Sequence, residues 1–348
     1  MKHFDVAIVG AGVMGSATAH ALARSGRKTV VFEQFGPHHE RGSSHGRSRI
    51  FRYSYPESRY VEMAMVSAEL WREVEASVGL EGQLLVQIGG LDSGDEIEKN
   101  AAALAGCGAA FELLEGREAQ VRWPSFRFPD DFPVLFQPDG GIVRASAAID
   151  AFQAFALSHG TQIHHESRVH EITPGSDSVT LHVGEEQVTA RGVVVAAGAW
   201  VRKLLVPLGI DVPVRPTRET VAYFRVAGDP GPTLVEWGEP AIYAQRSPGH
   251  EGIKVGEHIA GPEADPDETG PVDASSVERL TRWVLERYAG AEPDPLHAET
   301  CFYTNTDDQR FILERHDRIV IGSPCSGHAF KFAPWIGRHL ASLAEEAL

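Results

Sequence analysis

Cysteine is nearly missing from this chain: three residues in 348, Cys107, Cys301 and Cys325, with no CxxC spacing and no zinc pattern. That count excludes a disulfide framework, and a reducing, cytoplasmic location is expected. Positive charge is also scarce. Against 48 Asp and Glu there are 32 Lys and Arg, a formal charge of −16, which argues against a nucleic-acid footprint or an anionic membrane partner. No segment approaches the roughly 20 apolar residues that span a bilayer. The first apolar stretch is short and glycine-broken, so a signal peptide is not expected. Internal repeats and low-complexity tracts are lacking, and so is any metal-ligand pattern. The remaining composition, 43% hydrophobic and 23% charged, is that of a globular protein. The length exceeds what one core usually supports, so two domains or one elaborated domain are expected.

What the chain does have is a phosphate-binding turn at its start. The β-branched run 4–9 leads into Gly10-x-Gly12-x-x-Gly15, with Val13 and Met14 opening a helical stretch over 14–23. A second strand over 28–32 ends at Glu33-Gln34, and Glu33 stands 18 residues after Gly15. In such a unit the first glycine permits the tight turn and the second lets backbone amides approach a pyrophosphate. The third brings helix and strand together, and the acidic residue accepts hydrogen bonds from a ribose. The phosphates then lie at the positive end of the helix. The turn alone is weak evidence; both strands, the helix and Glu33 accompany it here.

Further along, the Gly-, Ser- and His-rich stretch 34–48 reads as a loop and 60–78 as a helix. A strand is expected over 84–91, with short helices over 96–105 and 116–121. The turn at 139–141 leads to Ile142-Val143, and a helix follows over 147–158. Strands are expected over 162–165 and 168–172, then a hairpin of 179–183 with 187–190. Residues 191–197 are nearly all Val and Ala, the pattern of a parallel strand buried on both faces. β-rich segments fill 212–226, 233–237, 241–245 and 252–257, and a Pro/Asp/Gly-rich connection covers 261–273. A helix over 277–288, strands over 300–304 and 319–322 and a helix over 333–347 complete the chain. The fold expected is α/β: a Rossmann-like dinucleotide-binding domain with an inserted α+β domain on a mostly antiparallel sheet. The first comprises 1–84, 141–212 and 300–348, the second 85–140 and 213–299.

Four clusters accompany the glycine turn. They are Gly42-Ser43-Ser44-His45-Gly46-Arg47-Ser48-Arg49-Ile50-Phe51-Arg52; Tyr243 followed by Lys254 and His258; Cys301-Phe302-Tyr303-Thr304; and Ser326-Gly327-His328-Ala329-Phe330-Lys331-Phe332. In this order they resemble the monomeric sarcosine oxidase and N-methyltryptophan oxidase family, flavoenzymes of the D-amino-acid oxidase group. The resemblance runs from the first strand to the last helix. It implies an FAD cofactor joined through its 8α position to the sulfur of Cys301, with Cys107 and Cys325 as plain buried thiols. It places Arg52 and Lys331 on a substrate carboxylate, where a planar guanidinium and a compact ammonium are complementary.

The same resemblance sets Arg49 and His45 against the isoalloxazine, where a cation favours the anionic reduced ring. Lys254 would assist oxygen reduction, and Tyr243, Gln245, His258 and Tyr303 would surround the substrate. Gln34, Arg41, Ser43, Ser44, Val169, Gly198, Trp200, Gly327 and His328 would add cofactor contacts. The reaction implied is oxidation of an N-methyl or other secondary amino acid, with hydrogen peroxide formed from O2 by a monomer. Arg47, Gln245-Arg246 and Glu257 depart from the family pattern and suggest a more polar pocket, so a bulkier or cyclic imino acid is an expected alternative to sarcosine. Oxidation of a primary or D-amino acid, and electron transfer to an acceptor other than oxygen, remain open.

Overall fold

The computed structural model describes residues 3–249 and 252–348. The strand His3–Val9 is flanked by two parallel neighbours, Thr29–Phe32 and Glu186–Val195. Gln162–His164 extends this sheet beyond the first and Ile319–Ser323 beyond the second, all parallel. The Val/Ala run is buried on both faces, as its composition requires. It is not a separate element. One strand, Glu186–Val195, first closes a hairpin with Val179–Val183 and then enters the parallel sheet. The helices Val13–Arg24, Ser58–Val78, Ala145–Ser158 and Ala333–Glu345 pack against one another in the core that includes Val6, Ile8, Val31, Val194 and Val320 of the parallel sheet.

A second eight-stranded sheet runs in the order His297–Asn305, Arg215–Phe224, Ile253–His258, Ala241–Arg246, Thr233–Trp237, Gly90–Gly94, Pro133–Gln137, Glu112–Glu115. All its pairs are antiparallel except Thr233–Trp237 with Gly90–Gly94. The helix Ala274–Arg287 contributes Leu280, Trp283 and Val284 to a core with Phe224, Ile253 and Val255 of this sheet. The strand His297–Asn305, whose last residues the sequence grouped with the nucleotide-binding segments, pairs here along its whole length.

The strand expected over 84–91 is two strands. Leu85–Gln87 joins a small sheet with Ser48–Phe51 and Gly141–Arg144, and Gly90–Gly94 joins the large antiparallel one. Gly89 sits between them at φ +81, which turns the chain from one sheet to the other. Four short strands carry no sequence signal of their own: Ser48–Phe51, Glu112–Glu115, Pro133–Gln137 and Ile312–His316. Each has charged or proline positions that break the alternation by which a strand is recognised. Among the described residues no helix is long and apolar enough to cross a membrane, and no group of three or more His, Cys, Asp or Glu is placed to hold a metal.

One core contact ties the fold to the cavity described next. Trp71 is fully buried, and its indole Nε1 donates to the Lys331 carbonyl at 2.8 Å. Trp71→Phe keeps most of the apolar contact and orphans that carbonyl, so a loss of about 1–3 kcal/mol is expected. Thermal unfolding several degrees lower would register it; an unchanged transition would show the bond contributes nothing.

Candidate active site

A cavity of about 680 Å³ takes its lining from both large sheets. The glycine turn supplies one part. Gly10, Gly12, Val13, Met14, Glu33 and Gln34 line it, and Gly15 does not. A Cβ at Gly15 would lie 1.8 Å from the Gly10 carbonyl oxygen, so this glycine serves the approach of helix to strand. The Glu33 carboxylate is fixed at its strand end by the amides of Ala11 (2.8 Å) and Phe35 (3.1 Å). The Val13 amide donates to Ser44 Oγ at 3.1 Å, which joins the 42–48 loop to the helix start. Ser43, Ser44, His45, Val169, Gly198, Trp200, Gly327 and His328 complete this wall. Arg41 stays outside it: its guanidinium stands 4.9 Å over the Phe35 ring and donates to the Asp267 carbonyl. Four polar atoms of lining residues, Ser43 Oγ, His165 Nδ1, Gln245 Oε1 and Ser323 Oγ, are buried with no partner in the protein. Buried polar atoms are rarely left so, and a dinucleotide rich in donors and acceptors fits them.

The antiparallel sheet forms the floor, mostly through alternate side chains. Val235 and Trp237, then Ala241, Tyr243 and Gln245, then Lys254 and His258, then Glu299, Cys301 and Tyr303 face the cavity. Tyr243 is paired with Gly256 across the sheet, and a Cβ there would sit 2.6 Å from the tyrosine hydroxyl. The glycine leaves the ring room to lie across the neighbouring strand. The alternation also corrects the expectation of a more polar pocket. Glu257 points to the other face, where it is buried with Ser276 (2.6 Å) and Arg279 (2.6 and 2.7 Å). Arg246 turns away to Asp229 and the Gly231 carbonyl. Only Arg47 and Gln245 of the four departures line the cavity.

Four cations from three segments converge here. Arg49 donates to three carbonyls, those of Ser48 (2.8 Å), Ser43 (2.9 Å) and His45 (2.6 Å). Arg52 donates to the Ser54 carbonyl, and its guanidinium lies 4.0 Å from the Tyr55 ring centre and 4.8 Å from that of Trp237. Lys331 donates to the Tyr55 hydroxyl (2.8 Å) and the His328 carbonyl (2.7 Å). Lys254 is 3% exposed, with Glu299 Oε1 3.7 Å away. Burial, followed by the charge of Arg49, lowers its pKa to about 8. Burial and Arg52 hold the Lys331 ammonium well below the usual lysine range. Burial, Arg52 and Lys331 bring His258 down to about 4, so it is neutral at pH 7. His45 falls to about 4 through burial and Arg49.

Cys301 is buried in the floor, and burial pushes its thiol up to about 11 against the pull of Lys254 and Arg49. Cys325 also lines the cavity, whereas Cys107 lies outside it beside the Ser58 carbonyl. Sequence reasoning missed Tyr55, Trp237 and Glu299. The last two carried a usable signal, since each lies two residues from a floor residue on its own strand. Asp92, fully buried behind Arg52, was missed as well; it accepts from Ser54 Oγ (2.6 Å), Gln137 Nε2 (2.8 Å) and Trp237 Nε1 (2.9 Å).

Comparison with known proteins gives a consistent result. The family described as FAD dependent oxidoreductase matches residues 5–343. The monomeric sarcosine oxidase of Bacillus sp. (strain B-0618) is 34% identical over 366 residues, 98% of this chain and 92% of that protein. The peroxisomal sarcosine oxidase of Homo sapiens is 34% identical over 360 residues, again 98% and 92%. Among solved structures, the open form of NikD, an unusual amino acid oxidase essential for nikkomycin biosynthesis, superposes with a TM-score of 0.90 at 27% identity, over 99% of this chain and 95% of that one.

The paired cations make a testable anion site. A bound carboxylate favours the Lys331 ammonium, whose own pKa is depressed. Benzoate affinity by calorimetry is therefore expected to be highest below that lowered pKa and to fall as pH rises through it. Affinity that stays level into the ordinary lysine range would remove Lys331 from the anion site.

Proposed function

The chain belongs to the FAD-dependent oxidoreductase family, and from that premise we propose that it oxidises the CH–NH group of an N-methyl or other secondary amino acid and uses molecular oxygen as acceptor. One observation carries this reading. Two buried cations, Arg52 and Lys331, face one cavity, and among the described residues their hydrogen-bonded and stacked partners are neutral oxygens and ring faces. Their charge is left for the carboxylate of an amino acid.

The residues divide the work. The amides of the glycine turn and the positive helix end hold the pyrophosphate, and Glu33 holds the ribose. Cys301 would hold the cofactor through its sulfur, and Arg49 and His45 would border its ring. Bound there, FAD supplies the two-electron acceptor that takes a hydride equivalent from the carbon beside the amine. Arg52 and Lys331 fix the carboxylate, and Tyr243, Tyr303 and the neutral His258 border the reacting carbon and nitrogen. The amine reacts as the free base, because a protonated nitrogen has no lone pair with which to expel hydride. Lys254 serves oxygen through its positive charge. With Glu257 and Arg246 turned away, the floor keeps Val235, Trp237 and Ala241 as its apolar part, and sarcosine stands beside larger or cyclic secondary amino acids as a candidate. A single chain is the working unit of this reading.

Oxygen uptake and peroxide release, screened over N-methyl, cyclic and D-amino acids, test the reaction. Turnover of D-amino acids alone, or turnover only with an artificial acceptor, would replace this reading. Digestion of the denatured protein tests the linkage, with flavin expected on the peptide that holds Cys301. Flavin released free, or found on Cys325, would overturn it.

Lys331→Met removes a charge-assisted contact of about 2–3 kcal/mol, which corresponds to a rise in KM of about 30- to 150-fold. Flavin content should stay normal in that variant. Unchanged kinetics would place the substrate carboxylate elsewhere.

A further inference from the structure

The reading above assigns no task to Glu299, a carboxylate in a cavity whose lining includes Arg49, Arg52, Lys254 and Lys331. It lies on the strand His297–Asn305, on the same side as Cys301. Its Oε1 is 3.7 Å from Lys254 Nζ and accepts a 2.7 Å hydrogen bond from the Tyr223 hydroxyl. The other oxygen, Oε2, is 3.8 Å from His297 Nε2. Side-chain exposure falls stepwise along this series, from 61% at His297 to 18% at Glu299 and 4% at Lys254. The series leads from solvent to the most enclosed ammonium of the floor.

Gly46 completes the cluster. It sits at φ +90, and a Cβ there would lie 3.5 Å from Arg49 Nη1, 3.6 Å from Lys254 Nζ and 3.8 Å from Glu299 Oε1. Its missing methyl leaves a small space bounded by a guanidinium, an ammonium and a carboxylate. The groups facing Lys254 are thus Arg49, Glu299 and Cys301, and those facing Glu299 are Tyr223, Lys254, His45 and His297. Burial alone would push the Glu299 carboxyl up; the Tyr223 hydroxyl and the surrounding cations outweigh it and hold it below the usual range.

We propose that Glu299 is the proton relay for oxygen reduction, passing protons from solvent beside His297 to Lys254. The proposal rests on oxygen being the electron acceptor. The balance is as follows: O2 takes the hydride equivalent held by the cofactor, which is two electrons and one proton, and one further proton gives H2O2. Lys254 donates that second proton from its ammonium and is left as a neutral amine. Glu299 takes a proton from hydronium or a buffer acid in solvent and hands it to the amine, which restores both groups. A lysine with its pKa near ambient pH gives up and regains a proton with little free-energy cost either way.

Glu299→Gln keeps the shape and removes the proton-carrying group. In stopped-flow measurements, reduction by substrate without oxygen should change less than about twofold. Reoxidation by oxygen should slow at least tenfold, with a larger solvent deuterium effect. Glu299→Asp, which keeps a carboxylate at the cost of one methylene, should recover much of the rate. A variant series in which Gln equals or exceeds Asp, or in which reoxidation matches the parent, would overturn the relay. A readout independent of turnover is carbamylation of Lys254 by cyanate in the resting holoenzyme, followed by mass spectrometry. Loss of the neighbouring anion lowers the lysine pKa, so Glu299→Gln should react several-fold faster at neutral pH. An equal rate would show that Glu299 and Lys254 are not coupled. A parent enzyme that substrate reduces but oxygen fails to reoxidise would sink the oxidase reading instead, and the cyanate result would still decide the coupling.

Discussion

The constraint on which this molecule turns is the burial of positive charge around one cavity. Arg49, Arg52, Lys254 and Lys331 come from three segments of a chain with a formal charge of −16, yet among the described residues only Lys254 has a carboxylate within 4 Å. The other three are held by carbonyl oxygens, a phenol hydroxyl and aromatic faces. Dipoles and π faces solvate a cation without cancelling its field. Neutralising carboxylates would make the apoprotein more comfortable and leave nothing for an anionic guest. The depressed pKa values of Lys254, Lys331, His45 and His258 record the cost.

The rest of the architecture serves that arrangement. The antiparallel sheet presents its floor mostly by alternation, so neighbouring residues can have opposite fates: Gln245 faces the cavity and Arg246 leaves it, His258 faces it and Glu257 backs it. The helical layer works from behind. Trp71 holds the Lys331 backbone, and Asp92 gathers Ser54, Gln137 and Trp237 behind Arg52. Packing and electrostatics are one problem here, because each cation is oriented by a group whose own place is fixed by the core.

Much of this was legible in the chain. The glycine turn with both strands and Glu33 pointed to the parallel sheet, since turn, helix and acidic residue together are the pattern of a dinucleotide-binding unit. The cysteine, tyrosine and lysine clusters all fall on the lining of one cavity. What could not be read was the facing of side chains in strands whose register is set by partners distant in sequence. Glu257 and Arg246 looked like pocket residues because they adjoin pocket residues; the two-residue period decides otherwise. Arg41 was misplaced for a similar reason, since its loop lines the cavity while its own guanidinium stacks outward on Phe35. The break at Gly89 was invisible because an apolar run does not announce that its halves join different sheets.

The order in which the parallel sheet is threaded has a consequence for biosynthesis. Ile319–Ser323 is made long after Val193–Val195, with which it pairs in a sheet that also holds His3–Val9. The nascent polypeptide therefore carries an incomplete, apolar sheet margin through most of its translation. Lys331 arrives later still, just before the helix Ala333–Glu345. A cavity that needs Lys331 is complete only once this late segment has been made, so protection of the waiting intermediate becomes part of the maturation of the site.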